Sequence, residues 1–391
     1  MVKFFAGILL CMSFFSPVNA KEGENTARAK QTLDLVLKYY DAGHDHLFLE
    51  TWPYKEDGKV TYLAGEDTVK GKRVAYLWPT SGLFSAVNAL LKATGDREYS
   101  SLLESTVLPG LENYYDADRK PSCYQSYIKE AGMSDRFYDD NIWLGIDFLE
   151  AYELTHNAQF LSKSKEIWEF VISGWDDKAG GGIYWCEQKK KSKNTCSNAP
   201  AAVLALKLFH ATNEKDYLLW GEKIYDWTKS TLQDPNDHLY FDNIKLNGEI
   251  DHRKYTYNSG QMLQAAVLLY NATQKEAFLA DARAVAQSAI RYFTEDFETP
   301  NGEEIKLFKN TGNWFNAILM RGYCELYKVD KNPEYLNVFQ NNVDHLWASL
   351  RSSNGLFSKD WKGEKEDQYK WLLDQVSLVE IWANLEELKN E

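Results

Sequence analysis

Apolar residues recur along most of the chain at steps of three and four. Ile142, Ile146, Leu149 and Tyr152 make one such stripe; Ala201, Leu204, Ala205 and Leu208 make another. That period places the apolar side chains on one face of a helix. Strict alternation is scarce and short, as in Gly182-Ile183-Tyr184-Trp185. The helical stripes fall into units that repeat about every 56 to 60 residues, a period that calls for a repeat architecture. Each unit holds an apolar-periodic helix, a short break and a second helix often containing aromatics. The units run from Ser81 to about Tyr115, Asp140 to Trp175, Asn198 to Leu232, Asn258 to Phe293 and Trp314 to Leu350. A last helix, about Trp371 to Leu388, is left to pair with the first, about Thr26 to Tyr40. Twelve helices in six pairs whose ends meet predict an all-α closed double ring, the (α/α)6 barrel. An open helical solenoid is the rival. It is disfavoured by long irregular loops, Thr51 to Pro79 and Gly174 to Ser197, and by a first helix that needs the last as its partner. No linker or shift of composition divides residues 21–391, so they read as one domain.

In such a ring, the segments entering the first helix of each unit open on one face. They are Trp78-Pro79, Tyr138-Asp139-Asp140-Asn141, Ser197-Asn198-Ala199-Pro200, Thr256-Tyr257-Asn258-Ser259-Gly260 and Asn310-Thr311-Gly312-Asn313-Trp314. Helix capping accounts for the Asn, Asp and Ser; it does not account for the Tyr and Trp beside them. One entry carries two adjacent carboxylates, Asp139 and Asp140. Capping and the helix dipole explain acids there. Two carboxylates held close are also what glycoside hydrolysis needs, one to attack or stabilise the sugar and one to carry the proton. Adjacent Cα atoms lie about 3.8 Å apart, so diverging side chains can reach the separation of about 5 to 5.5 Å used by retaining glycosidases. Mutual repulsion raises the pKa of one of the two.

Composition narrows the picture. Hydrophobic residues make up 44% of 391, enough for a large core, and aromatics reach 14%, with 13 Trp and 24 Tyr. That excess suits either core anchors or a groove that stacks sugar rings. Residues 1–20 read as a secretory signal: Lys3, an apolar run from Phe4 to Phe15 too short to span a bilayer, and the small-residue site Val18-Asn19-Ala20. The chain is therefore expected to be exported, to the periplasm or outside the cell. Leu10 before Cys11 does not support a lipid anchor. The formal charge is −13, and the signal holds one Lys and no acid, which leaves the remainder near −14. Such a chain repels nucleic acid and anionic membrane, and a neutral saccharide suits it better. No later segment is long and apolar enough for a membrane helix. His44 and His46 lack further ligands, so no metal is expected, and no cofactor; the chain is expected to be a monomer. Cys186 and Cys196 bracket a Lys-rich loop that a disulfide could staple after export; free buried thiols are the equal alternative.

The repeats and the Asp pair together resemble glycoside hydrolase family 76, the bacterial endo-α-1,6-mannanases. The resemblance covers nearly all of the exported chain. It is carried by Phe137-Tyr138-Asp139-Asp140-Asn141-Ile142-Trp143, by Gly180-Gly181-Gly182-Ile183-Tyr184-Trp185, by Lys193-Asn194-Thr195-Cys196-Ser197-Asn198-Ala199-Pro200 and by Thr256-Tyr257-Asn258-Ser259-Gly260, with Phe308-Lys309 leading into the fifth unit. Ser259 departs from the Gln expected in that turn, which puts one substrate contact in doubt. The resemblance implies an (α/α)6 fold and retaining hydrolysis of α-1,6-linked mannose backbones. It implies that Asp139 is the nucleophile and Asp140 the general acid/base. Asn198, Asp251, Tyr257 and Asn258 match positions near the family's cleft, and Trp78, Tyr138, Trp185 and Trp314 are candidate stacking walls. For each of these eight a structural role weighs as much as substrate contact. Three readings remain: an endo-acting α-1,6-mannanase; an exo-acting mannosidase or transglycosylase on the same scaffold; and a glycan-binding protein without turnover, which the intact Asp pair disfavours.

Overall fold

The structure, a computed structural model, describes residues 23–56, 59–61, 68–70, 72–309 and 312–390. The expected signal, residues 1–20, lies outside them. The chain order is α1 (Glu24–Tyr39), α2 (Leu77–Thr94), α3 (Arg97–Leu102), a π-helical turn Leu103–Val107, α4 (Leu108–Leu111), then α5 (Tyr138–Thr155) and α6 (Ala158–Ser173). There follow α7 (Thr195–Thr212), α8 (Lys215–Leu232), α9 (Thr256–Thr273), α10 (Glu276–Phe293), α11 (Asn313–Asp330), α12 (Glu334–Ser349) and α13 (Leu372–Asn390). Helices α2, α5, α7, α9, α11 and α13 pack in sequence as an inner ring, and α13 closes it against α2. Outside them lie α1, the α3–α4 rod, α6, α8, α10 and α12, with α1 seated on α13. This is the (α/α)6 barrel, and the first and last helices pair as the sequence predicts.

The two rings differ in chemistry because they differ in what surrounds them. Inner α7 is buried at every position from Thr195 to Leu208, since it has neighbours on all sides. Outer α10 buries only Phe278, Leu279, Ala282, Val285, Ala286, Ala289 and Phe293 among its large and small apolar residues, one helical stripe. Where α9 meets α11 the backbones nearly touch: a Cβ on Gly260 would lie 2.4 Å from the Leu319 Cα, so only glycine fits.

The repeat legible in the sequence has a local cause. Thr94, Thr155, Thr212 and Thr273 end four inner helices, and each hydroxyl donates to the carbonyl four residues back at 2.6–2.7 Å. Each oxygen then accepts the amide two residues on. The residue between is left-handed: Gly95, His156, Asn213 and Gln274, with Lys331 after α11. That reverses the chain into the outer helix.

Two expectations are corrected. The helix entries contain no side-chain caps on α2, α5, α7, α9 or α11. The helices start one to four residues earlier than expected, so the Asn residues lie inside the first turn and serve another purpose. Asn141 accepts from the Tyr124 amide and donates to the Tyr124 carbonyl; Asn198 does the same for Ile183. Gln375 likewise holds Phe357. Each amide side chain pins an extended segment across the mouth of the ring. Second, Gly182 to Trp185 makes only isolated bridges, Ile183 with Trp175 and Tyr184 with Lys193. The regular strands lie elsewhere, chiefly the antiparallel sheet Ser192–Asn194, Phe241–Lys245 and Ile250–Lys254 and the hairpin Thr294–Glu298 with Glu304–Phe308.

Candidate active site

The second residue of five inner helices, Trp78, Asp139, Cys196, Tyr257 and Trp314, faces a cleft of about 650 Å³ at one end of the ring. Trp371, just before α13, completes the circle. Sharing one side of parallel helices, these positions converge on the axis although they are about 60 residues apart, the repeat length. The three-stranded sheet covers one flank. Ser192 and Asn194 point into the cleft while Lys193 points away, as strand alternation dictates. Lys193 is fully buried and donates to the Asp176 carboxylate at 2.6 Å and to the Gly181 carbonyl at 2.6 Å. It fastens the glycine loop that leads to Trp185.

Asp139 and Asp140 both line the cleft. Phe137 is extended and the helix begins at Tyr138, so both acids fall in the first turn, where the helix dipole favours negative charge. The entry is tied to the Trp185 segment by the Tyr138 amide on the Trp185 carbonyl and the Glu187 amide on the Arg136 carbonyl, each 3.0 Å. Buried Arg136 pairs with Glu187 at 2.5 Å, fixing the same junction from behind. Trp185 is thereby placed to donate from Nε1 to Oδ2 of Asp139 at 3.1 Å. The Cys196 thiol donates to that oxygen at 3.3 Å. Desolvation pushes Asp139 up to about 6, opposed by these hydrogen bonds from Cys196 and Trp185. Asp140 is raised well above the usual carboxylate range, first by desolvation and then by the Asp139 charge. Burial and mutual charge thus disfavour ionising both carboxylates at once.

The cleft also holds an aromatic wall. Trp78 meets Trp314 edge-on at 5.3 Å and Trp371 at 5.2 Å, and Tyr257 stacks on Phe315 at 4.1 Å. Glu50 holds the Trp371 indole at 2.6 Å. A further carboxylate, Asp242, enters from the sheet; burial raises its pKa, and Asn258 donates to it at 3.4 Å.

Of the predicted residues, Trp78, Asp139, Asp140, Trp185, Tyr257 and Trp314 meet in the cleft. Four do not line it. Tyr138 is 1% exposed and stacks on Phe170 at 4.7 Å; as the first helical residue it points outward into the core. Asn198 is fully buried on the Ile183 backbone. Asn258 reaches only Asp242. Asp251 is occupied by Arg253, whose Nε lies 3.0 Å away, and it is Arg253 that lines the cleft. Ser259 is buried and accepts the Tyr240 amide, so the departure at that position touches packing. The suggested disulfide is absent: Cys186 and Cys196 are free and buried, and Cys196 is turned onto Asp139. Glu50, Cys196, Asp242, Arg253 and Trp371 were not foreseen as lining residues. For Cys196 a signal existed, since aligning the units puts it level with Asp139 and Tyr257. Asp242 and Arg253 lie on strands with no distinguishing pattern. Glu50 and Trp371 meet only through ring closure.

Among the described residues no helix is long and apolar enough to cross a membrane. The sequence model of glycosyl hydrolase family 76 matches residues 25–390. Among solved structures, a family 76 glycoside hydrolase (mannosidase) from Bacteroides thetaiotaomicron is similar, with 31% identity, a TM-score of 0.86 and coverage of 94% of this chain and 99% of that one. An inactive variant of an α-1,6-mannanase from Salegentibacter, in which two consecutive aspartates are replaced by alanine, was solved with an α-1,6-linked mannotetraose; it is 26% identical with a TM-score of 0.74, covering 94% of this chain and 99% of that one. A mannan endo-1,6-α-mannosidase of Saccharomyces cerevisiae is 24% identical over 281 residues, 63% of this chain and 59% of its own. A Schizosaccharomyces pombe protein provisionally given that name is 26% identical over 257 residues, 61% of this chain and 55% of its own. The matches thus span little more than half the length of these two fungal proteins.

Proposed function

The chain belongs to glycosyl hydrolase family 76, and from that premise we propose that it hydrolyses α-1,6-mannosidic linkages within mannan backbones, with retention at the anomeric carbon. The observation that carries this reading is the pair of neighbouring carboxylates in one cleft, both raised by burial and Asp140 further by the Asp139 charge. Asp139 attacks the anomeric carbon. Asp140 gives its proton to the departing glycosidic oxygen, so the leaving sugar carries no charge. Its carboxylate then takes a proton from water, which displaces Asp139 from the glycosyl intermediate. Two displacements at one carbon restore the α configuration.

The aromatic wall supports a sugar ligand. Trp78, Trp371 and Phe315 offer apolar faces, and Asn194, Asn243, Asp242 and Arg253 of the sheet offer polar groups to accept or donate to hydroxyls. The Salegentibacter variant lends support too, as its paired aspartates were removed for a complex with an α-1,6-linked ligand. The test is a time course on debranched α-1,6-mannan. Internal cleavage yields intermediate oligomers early, and proton NMR shows the α anomer first. Steady release of mannose alone would replace endo by exo action. A β anomer first would remove the nucleophilic role of Asp139.

A further inference from the structure

The two-carboxylate mechanism makes no use of Cys196, yet its thiol touches the carboxylate that must stay ionised. We propose that Cys196 is a positioning residue for Asp139, its buried thiol holding the Asp139 carboxylate by a hydrogen bond. The proposal rests on the reading of Asp139 as nucleophile. Two successive inner helices supply the contact, each from its second residue. Cys196 is 4% exposed, and its Sγ lies 3.3 Å from Oδ2 of Asp139. Tyr257, the second residue of the next inner helix, lines the same cleft. Trp185 Nε1 reaches Oδ2 from the other side at 3.1 Å. Two donors on one oxygen fix the rotation of the carboxylate about its Cβ–Cγ bond.

The choice of sulfur has a physical rationale. A thiol is a weak donor. It orients an anion while withdrawing less electron density than a hydroxyl would. Burial and the Asp139 charge keep Cys196 protonated, so it acts as a donor and not as a rival nucleophile. The titratable groups facing Asp139 are Asp140 beside it, Cys196 and Tyr257 from α7 and α9, and Cys186 in the Trp185 segment. Asp242 faces Cys196 and Tyr257 from the sheet. Asp140 is covalently adjacent and unchanged by substitution at position 196, so a change in the Asp139 titration in such a variant reports the lost thiol.

The experiment compares wild type with Cys196→Ala, Cys196→Val and Cys196→Ser. Val is close to Cys in size and lacks a donor, which covers the case in which Ala leaves a cavity that unfolds the entry. Losing the donor disfavours the ionised Asp139. The acidic limb of kcat/KM on α-1,6-mannan should move upward by at least about half a pH unit in Ala and Val, a loss of about threefold at low pH beyond any loss at the plateau. Ser keeps an O–H donor, and its limb should stay at or below the wild-type position. Carboxyl carbon-13 NMR, with Asp139→Asn identifying the signal, follows the same titration without substrate. It therefore reads the proposal even if the mannanase reading fails. Limbs and titrations that coincide in all four proteins would overturn it, as would a Ser variant that shifts with Ala and Val. A plateau change alone, with no shift, would mark Cys196 as mere packing and also overturn it.

Discussion

At the scale of single residues, the proposed mechanism needs one of two neighbouring aspartates ionised and the other protonated. Asp139 has two donors on one oxygen; Asp140 has its neighbour's charge and burial against it. Activity should fall as pH drops through about 6, where Asp139 takes up a proton, and fall again at high pH when Asp140 loses its own. Asp139→Asn should lower kcat on mannan by about 10³-fold or more. Asp140→Asn should lower it about 10²- to 10⁴-fold, yet keep activity on an aryl mannoside whose leaving group needs no proton. Equal loss on both substrates would contradict the assignment of acid and nucleophile. A second buried acid gives a stability prediction. Asp374 is 5% exposed, and burial, with Asp367 nearby, pushes it up to about 7. Its folded pKa exceeds the unfolded one, so the native state holds more protons. Stability from this group is full below about pH 4 and declines by roughly 1.4 kcal/mol per pH unit up to about 7. Urea unfolding at pH 4, 5.5 and 7.5 should show Asp374→Asn gaining on wild type across that window and no further above it.

At the scale of elements, helix ends carry the design. Asn198 makes three hydrogen bonds, to both backbone groups of Ile183 and to the Asn194 carbonyl. Asn198→Ala leaves buried amide and carbonyl groups unpaired and should destabilise by about 2 to 4 kcal/mol. Because Ile183 leads to Trp185, KM should rise as well; thermal melts and kinetics together check this. The left-handed residues after the inner helices make the opposite prediction. Lys331 has φ 53°, a conformation that costs a side chain about 1 kcal/mol and glycine little. Lys331→Gly should raise stability by about 0.5 to 1 kcal/mol without changing turnover, since it lies at the ring end remote from the cleft.

At the scale of the whole molecule, the ring exists only when its ends meet. α13 is the sole inner helix between α11 and α2 among the described residues, and α1 rests on it. Trp382, fully buried, packs edge-on against Trp347 of α12 at 5.4 Å. Deleting residues from 372 onward should therefore open the inner ring, leave α1 without a partner and abolish cooperative unfolding. A truncated chain that melts like the full one would contradict closure. The opposite mouth of the ring is lined by ion pairs, including Arg321 with Glu380 at 2.5 Å and Lys207 with Glu150 at 3.1 Å. These are buried charges compensated within the ring.

Much of this was legible in the sequence. Helical periodicity, the unit length and the surplus pair of end helices determined the double ring, because burial on all sides or on one side leaves its period in the chain. The Asp139-Asp140 pair, Trp78 and Trp314 were identified at helix entries, because adjacency and entry position are local; Trp185 was identified at the end of the glycine run. What was not local was misjudged. Tyr138 beside the pair turns into the core, since one residue along a helix rotates a side chain by about 100°. Asn198 and Asn258 resemble cleft residues in sequence, yet their amides are consumed by Ile183 and Asp242. Cys196, Asp242, Glu50 and Trp371 enter the cleft only because separate repeats, a sheet and the two chain ends are brought to one axis. Sequence determined which helices form and that the acids stand at a helix entry; the tertiary structure decided the strands, the helix starts and which way each side chain faces, because only the packing of distant segments selects a partner.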